Sequence, residues 1–285
     1  MANVDLRPMS LGEVLDRTFT LYREHFLLFA GIMALPYLVV LLLEFGFLLI
    51  EGSTFKPTAT FSSGLIGGII VGAAGFFALW LVLFGIAQAA TVWAVSELYL
   101  GRPASVREAY LSSKGRVWTV ILITVMVSLV TVLVGGIFFF LLFTPGIYLA
   151  CRLALAVPVA IVEKESAVSS MERSMELTKG HFWQIFLLLL LVGTLSYALS
   201  TMLQLPAIFL TISAAIAKRP VSAGVATYQY IAGFISQTVV GPIGTISAAL
   251  MYYNLRVRKE GFDIQHLMSS LASAPRPLAD PPGIS

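Results

Sequence analysis

The chain has 285 residues, of which 58% are hydrophobic and 12% charged, and it carries a formal net charge of +3. Soluble domains average about 25% charged residues, so this composition excludes a water-soluble globular domain, whose surface it could not cover. The basic residues lie in short clusters between apolar runs, which excludes a diffuse nucleic-acid-binding patch. The single cysteine, Cys151, excludes a disulfide within the chain.

The first 25 residues are charged and patterned. Leu11, Val14, Leu15, Thr18, Phe19 and Tyr22 follow helical spacing, with Glu13, Asp16, Arg17, Thr20 and Arg23 on the other side. No small-residue cleavage site follows, so the first apolar run is expected to act as its own insertion signal. Apolar runs at 26–50, 64–98, 116–142, 145–162, 182–204 and 225–255 predict six transmembrane helices, because a helix rising ~1.5 Å per residue needs about 20 residues to cross the hydrocarbon core. The second and sixth are too long to stand straight and should tilt or extend beyond the bilayer. The fourth is short and opens at Pro145-Gly146. Pro206 is expected to end or kink the fifth, leaving 206–217 as a separate apolar piece, and Pro242 to kink the sixth. A re-entrant course for 206–240 stays open. Residues 1–263 thus form one all-α integral membrane domain. Residues 264–285, with Pro275, Pro277, Pro281 and Pro282, are expected to be a disordered tail.

Charge sets the direction. With the N-terminus inside, the cytoplasmic segments hold Arg7, Arg17, Arg23, Arg102, Arg107, Lys114, Arg116, Lys164, Arg173, Lys179, Arg256, Arg258, Lys259 and Arg276, or 14 of the 18 Lys and Arg. The outer segments hold only Lys56, Lys218 and Arg219. Basic loops stay inside, so both termini are expected in the cytoplasm and the protein in the cell membrane.

The pattern repeats. Ser-x-x-Glu spacing, which suits a capping box, occurs at Ser10–Glu13, Ser105–Glu108 and Ser169–Glu172. Arg17, Leu21, His25 and Phe26 align with Arg173, Leu177, His181 and Phe182. Lys114, Gly115 and Trp118 align with Lys179, Gly180 and Trp183. This predicts three units, each an amphipathic helix followed by a hairpin of two spans. The amphipathic helices are expected at headgroup level, apolar side down, with their cations against anionic lipid.

Several motifs resemble a bacterial and archaeal membrane family. They are Leu6-Arg7-Pro8-Met9-Ser10-Leu11-Gly12-Glu13 with Asp16-Arg17 and Leu21-Tyr22-Arg23; Pro145-Gly146-Ile147-Tyr148 with Arg152, Pro158 and Glu163; Ser174, Leu177, Lys179-Gly180 and Phe182-Trp183; and Tyr252-Tyr253-Asn254-Leu255-Arg256-Val257-Arg258-Lys259-Glu260-Gly261-Phe262-Asp263. The family is named after the glycerophosphoryl diester phosphodiesterase membrane domain, and its members often have Asp at the Asn254 position. The resemblance covers about 6–263. It implies a multi-pass membrane module, not hydrolysis, because nothing here resembles the soluble catalytic barrel with its His and acidic ligands.

The chemistry-bearing residues are few. His25, His181 and His266 lack metal-ligand spacing, and no triad or phosphate loop is present. No cofactor is expected. Gly67-Gly68 and Gly135-Gly136 suit close helix packing. Within spans, Glu44 and Arg152 fall at similar depth and are open to pairing, since an intramembrane charge is costly alone. Arg152 then reads either as an anion or headgroup contact, or as half of a packing lock, or as a snorkelling side chain. Gln88, Gln204 and Gln237 are further polar points, serving as interhelical hydrogen bonds or as the lining of a path. The leading functional reading is a non-catalytic module that organises lipids or partner proteins; the alternative is a transporter or lipid-translocating protein. A homo-oligomer or a membrane-protein partner stays open.

Overall fold

A computed structural model of the chain describes residues 8–54, 63–137, 144–219 and 222–261. The proposed tail at 264–285 lies outside the described residues. The described residues form ten helices and no strand: α1 (Leu11–Glu24), α2 (Phe26–Thr54), α3 (Ser63–Tyr99), α4 (Val106–Ser113), α5 (Val117–Ile137), α6 (Thr144–Leu153), α7 (Ala156–Val162), α8 (Ala167–Thr178), α9 (Phe182–Ile216) and α10 (Ala223–Glu260). Five described segments are long and apolar enough to cross a membrane: Phe26–Leu49, Ala74–Tyr99, Pro145–Val162, Phe182–Ile216 and Ala223–Glu260. The bent pair α4–α5, turning by 80°, makes a sixth if counted as one span.

The short helices start where side chains satisfy the orphan N–H groups of a first turn. Ser10 and Glu13 form a reciprocal capping box, Ser10 N donating to Glu13 Oε2 at 2.6 Å and Glu13 N to Ser10 Oγ at 3.3 Å. Ser105 caps α4 through Glu108 N. The third cap differs from the sequence expectation. Lys164 turns the chain with φ 60°, Ser166 is then the first extended residue, and it caps α8 by accepting from Ser169 N. Ser169 is therefore inside the helix, and its hydroxyl goes to Glu165 instead.

His25 and His181 occupy matching hinges. Their dihedrals are φ −119°, ψ 34° and φ −120°, ψ 22°, and each carbonyl accepts the N–H four residues on at 3.2 Å, Phe29 and Ile185 respectively. Trp118 and Trp183 are also alike, at 70% and 69% exposed. The preceding turns are not alike, since Lys179 has ψ 124° whereas its counterpart Lys114 stays α-helical at ψ −40°.

The prolines correct one expectation. Pro206 does not end the fifth helix, and 206–216 is the continuation of α9 rather than a separate piece. The 206–240 stretch falls into two long helices, and α10 is likewise continuous through Pro242. A proline removes the N–H that its i−4 carbonyl needs and crowds that turn. In each continuous case a tyrosine hydroxyl from another helix reaches the loosened turn. Tyr110 donates to Ile32 O, four residues before Pro36; Tyr22 donates to Val239 O, three before Pro242; Tyr228 donates to Leu203 O at 2.9 Å, three before Pro206. Burial pushes the Tyr22 hydroxyl up to about 12, so it remains a donor. The break falls instead in the fourth span, between α6 and α7, where Pro158 crowds the carbonyl of Ala154. Ser174 stitches that break, accepting from Leu155 N at 3.2 Å and donating to Arg152 O at 2.8 Å.

α10 is the central element and packs on α9, α2, α1 and α3. Its last turns are enclosed, with Ile246, Leu250, Met251, Tyr252, Tyr253 and Leu255 all buried. α1 runs antiparallel along this half, from Met9 beside Asn254 to Tyr22 beside Val239. Val14, Thr18 and Leu21 are buried there, so the apolar side of α1 meets protein rather than lying down on lipid. Large exposed hydrophobic residues on α10 stop at Ile235, and on the described part of α3 at Leu79. The two over-long helices therefore each have an apolar-coated half and an enclosed half, which fits extension beyond a bilayer. Close packing uses Gly31, where a Cβ would come within 3.1 Å of Val106, and Gly85, within 3.3 Å of Ile121. A Cβ at Gly68 would meet nothing among the described residues, and the surroundings of Gly67, Gly135 and Gly136 lie outside them.

Candidate functional site

The closing motif and the opening motif meet. Asn254 is buried, accepts from Met9 N at 2.7 Å and donates to Met9 O at 3.0 Å, so one side-chain amide pairs both groups of one peptide residue. Arg258 adds a donor to Met9 O at 2.6 Å. Tyr253 stacks on Tyr99 with centroids 4.6 Å apart.

Beside this latch the same motif closes a ring of polar groups. Tyr252 donates to Glu163 Oε1 at 2.9 Å, and Arg256 reaches both the Tyr252 hydroxyl at 3.0 Å and Glu260 at 3.1 Å. Arg173 joins Glu260 to Glu163, the latter at 3.2 Å. Burial alone would lower the hold of the Arg173 guanidinium on its proton, but Glu163 and Glu260 reverse this and keep it above its usual range. Two arginines and two glutamates leave the ring itself neutral, with the exposed Glu176 at its edge 3.4 Å from Arg173. The ring ties α7, α8 and α10 together and has no uncommitted acid or base.

Next to the ring the charge is not balanced. Lys259 caps the C-terminus of α8, donating to Glu176 O at 2.8 Å and Lys179 O at 2.7 Å. Burial and the charges of Arg152, Lys179 and Arg173 disfavour its ammonium, and Glu176, 3.4 Å from Arg173, is the carboxylate that favours it. The Arg152 guanidinium lies 5.8 Å from the Tyr148 ring centroid, and that ring packs on Phe182 at 5.5 Å. Phe182 leads to the exposed Trp183. Cations and aromatic rings thus share the junction where α6, α8 and α10 meet the start of α9.

The second site is a cavity of about 280 Å³ in the opposite half of the bundle. Tyr37 and Glu44 come from α2, Trp80 from α3, Gln204 from α9, and Gln229, Tyr230 and Gln237 from α10. Tyr37 is buried, whereas Gln229 and Gln237 are exposed, so the cavity opens sideways. A smaller space of about 240 Å³ lies between α3, α5, α6–α7 and α10, and Gln88, Thr124, Ser128 and Thr245 line it.

The sequence-predicted polar residues are thereby sorted. Glu44, Gln204 and Gln237 converge on one cavity, and Gln88 faces the other. Glu44 and Arg152 form no ion pair. Arg152 follows the α6 chain to the break that α8 covers, while Glu44 opens into the cavity between α2, α3, α9 and α10. Sequence reasoning missed Gln229, whose four-residue spacing to Gly233 and Gln237 places it on the same helical face. Ser174 was noted only as a motif residue, and nothing in its own spacing announces the stitch. His25 and His181 serve as helix hinges, and His266 lies outside the described residues. Among the described residues no three His, Cys, Asp or Glu side chains come together as metal ligands.

A family model described as the membrane domain of glycerophosphoryl diester phosphodiesterase matches residues 130–272. The match takes in the polar ring, Asn254, Arg152, Gln204 and Gln237, and leaves Met9 and Glu44 outside. No curated protein and no solved structure matches the chain.

Proposed function

The chain belongs to the family of the glycerophosphoryl diester phosphodiesterase membrane domain, and from that membership we propose a non-catalytic multi-pass module that gathers anionic lipid headgroups at its cytoplasmic face. In this reading α5 is the sixth crossing, the apolar-coated halves of α3 and α10 lie in the bilayer, and the enclosed halves stand in the cytoplasm with both termini. The observation that carries it is the unbalanced junction. The charges of Arg152 and Lys179 act on Lys259, with Glu176 the opposing carboxylate, beside Tyr148, Phe182 and Trp183. A phosphate relieves that repulsion, and interfacial aromatic rings hold the acyl chain below it. The neutral ring behind the junction offers rigid support and no general acid or base.

Native mass spectrometry of the full chain, extracted with equal phosphatidylglycerol and phosphatidylcholine, tests this. Wild type should retain phosphatidylglycerol preferentially, and Lys179→Gln with Arg152→Gln should lose the preference while keeping the helical circular dichroism. Equal retention of both lipids by wild type would sink the reading. For the topology, a cysteine at Lys218 should react with an impermeant maleimide in intact cells, and one at Glu24 only after permeabilisation. A second reading, transport, is favoured by one observation, the convergence of Glu44, Gln204 and Gln237 on a single cavity.

A further inference from the structure

The cavity between α2, α3, α9 and α10 is lined by one carboxyl group, that of Glu44. Three glutamines, Gln204, Gln229 and Gln237, surround it, and none of these four side chains is hydrogen-bonded to another described residue. Unpaired polar groups on apolar helices are costly and are retained where something pairs with them. No described cation of the chain pairs with Glu44, and Arg152, the basic residue within an apolar span, is held at the distant junction. Most of the other lining groups are aromatic, with Val40, Leu41 and Gly233 between them. Trp80 is stacked between Phe77 and Phe84, with centroids 6.1 and 5.3 Å away, and Tyr230 packs on Phe45 at 6.1 Å. The electron-rich faces of such rings favour a cation. A carboxylate and three amide oxygens supply acceptors for N–H donors, which a quaternary ammonium lacks. The volume is slightly below the ~300 Å³ at which small-molecule sites begin, so it suits a small polar head rather than a whole lipid.

We propose that this cavity binds a primary organic ammonium group, with the Glu44 carboxylate as counter-charge, the carbonyl oxygens of Gln204, Gln229 and Gln237 as acceptors, and Trp80 as an aromatic wall. The ammonium belongs either to a lipid headgroup entering past the exposed Gln229 and Gln237 or to a free small amine. The site is separate from the anionic-headgroup junction, shares no residue with it, and stands or falls by different variants.

The test uses the full chain in nanodiscs and reads the thermal unfolding midpoint. Ethanolamine is titrated into phosphatidylcholine discs, with ethylene glycol as the neutral match and choline as the quaternary one. A parallel series replaces part of the phosphatidylcholine by phosphatidylethanolamine. Wild type should be stabilised by ethanolamine if the source is a free amine, or only by phosphatidylethanolamine if it is a headgroup. Ethylene glycol should do nothing, and choline should act more weakly than ethanolamine. Glu44→Gln should weaken the response roughly tenfold or more, as loss of a desolvated charge partner does. Gln237→Leu, which keeps the carboxylate, should weaken it less and guards against misfolding of the first variant. The proposal is overturned if neither source stabilises wild type, if ethylene glycol acts like ethanolamine, or if a folded Glu44→Gln protein responds as wild type does.

Discussion

The two halves of α10 have the same backbone and opposite surroundings. From Ile246 to Leu255 almost every side chain is buried, and each polar group has a partner: Asn254 on Met9, Tyr252 on Glu163, Arg256 on Glu260. From Ala223 to Gln237 the helix exposes Tyr228, Ile231 and Ile235, and its glutamines face a cavity without partners. The difference teaches where this molecule stores its specificity. The enclosed half is over-determined, with polar contacts that fix one arrangement of α1, α7, α8 and α10. The coated half is held mainly by apolar contact, with single hydrogen bonds from Tyr228 to Leu203 O and from Ser236 to Ser200, and leaves its glutamines for something else.

The largest effect should come from breaking the latch. Asn254→Leu strands the buried N–H of Met9 and leaves its carbonyl to Arg258 alone, and a buried unsatisfied group costs about 1–3 kcal/mol. A loss of about 3 kcal/mol is expected in reversible denaturant unfolding in detergent. Asn254→Asp keeps the acceptor for Met9 N, and Arg258 already donates to Met9 O at 2.6 Å, so it should lose at most about half as much. This also accounts for Asp at this position in the family the motif resembles. Equal losses for Leu and Asp would show that the amide is not the lock.

Next in size is the stitch across the α6–α7 break. Ser174→Ala removes one acceptor and one donor at the break, and about 2 kcal/mol should be lost. Ser174→Thr, which keeps the hydroxyl, should recover most of it. If the Ala and Thr variants unfold alike, the break is held by packing and not by Ser174. Smaller again is the tyrosine–proline couple. Tyr110→Phe should cost about 1 kcal/mol, near the upper range for hydrogen bonds in membrane bundles. In a Pro36→Ala background the helix supplies its own N–H to Ile32 O, and the cost of Tyr110→Phe should nearly vanish. An unchanged cost in that background would mean that the hydroxyl does not serve the proline turn.

Much of this was legible in the sequence. Hydropathy placed the apolar segments, and the Ser10–Glu13 and Ser105–Glu108 spacings located the starts of α1 and α4, because both signals are local. The proline outcomes were not legible. Pro36, Pro206 and Pro242 are continuous while Pro158 follows a break, and the residues that decide this are Tyr110, Tyr228, Tyr22 and Ser174, distant in the chain. Aligned residues also diverged. Arg17 and Arg173 share a repeat position, yet Arg17 is exposed and Arg173 sits in the polar ring, because only the latter faces Glu163 and Glu260. Glu44 and Arg152 matched in depth along the sequence, but side-chain pairing also depends on how α2 and α6 pack, which helical spacing does not give. Helical spacing placed Glu44, Gln204 and Gln237 within spans, but the shared cavity needs the packing of four helices.

The smallest expected effect sharpens the comparison most. Gln204→Leu and Gln237→Leu remove polar groups that pair with nothing described in the chain, so the folded state loses no hydrogen bond. Each Leu adds apolar surface in the coated half, where lipid tails are as apolar as the side chain and little is gained either. Stability of each variant should stay within about 0.5 kcal/mol of wild type, in contrast to the losses at Asn254 and Ser174. A loss as large as that of Ser174→Ala would mean that these glutamines are structural. The two halves of α10 would then differ in degree, and the cavity would be a flaw in packing instead of a site. Retained stability with a lost response to ethanolamine or phosphatidylethanolamine would separate the two roles within one helix, the enclosed half for folding and the coated half for binding.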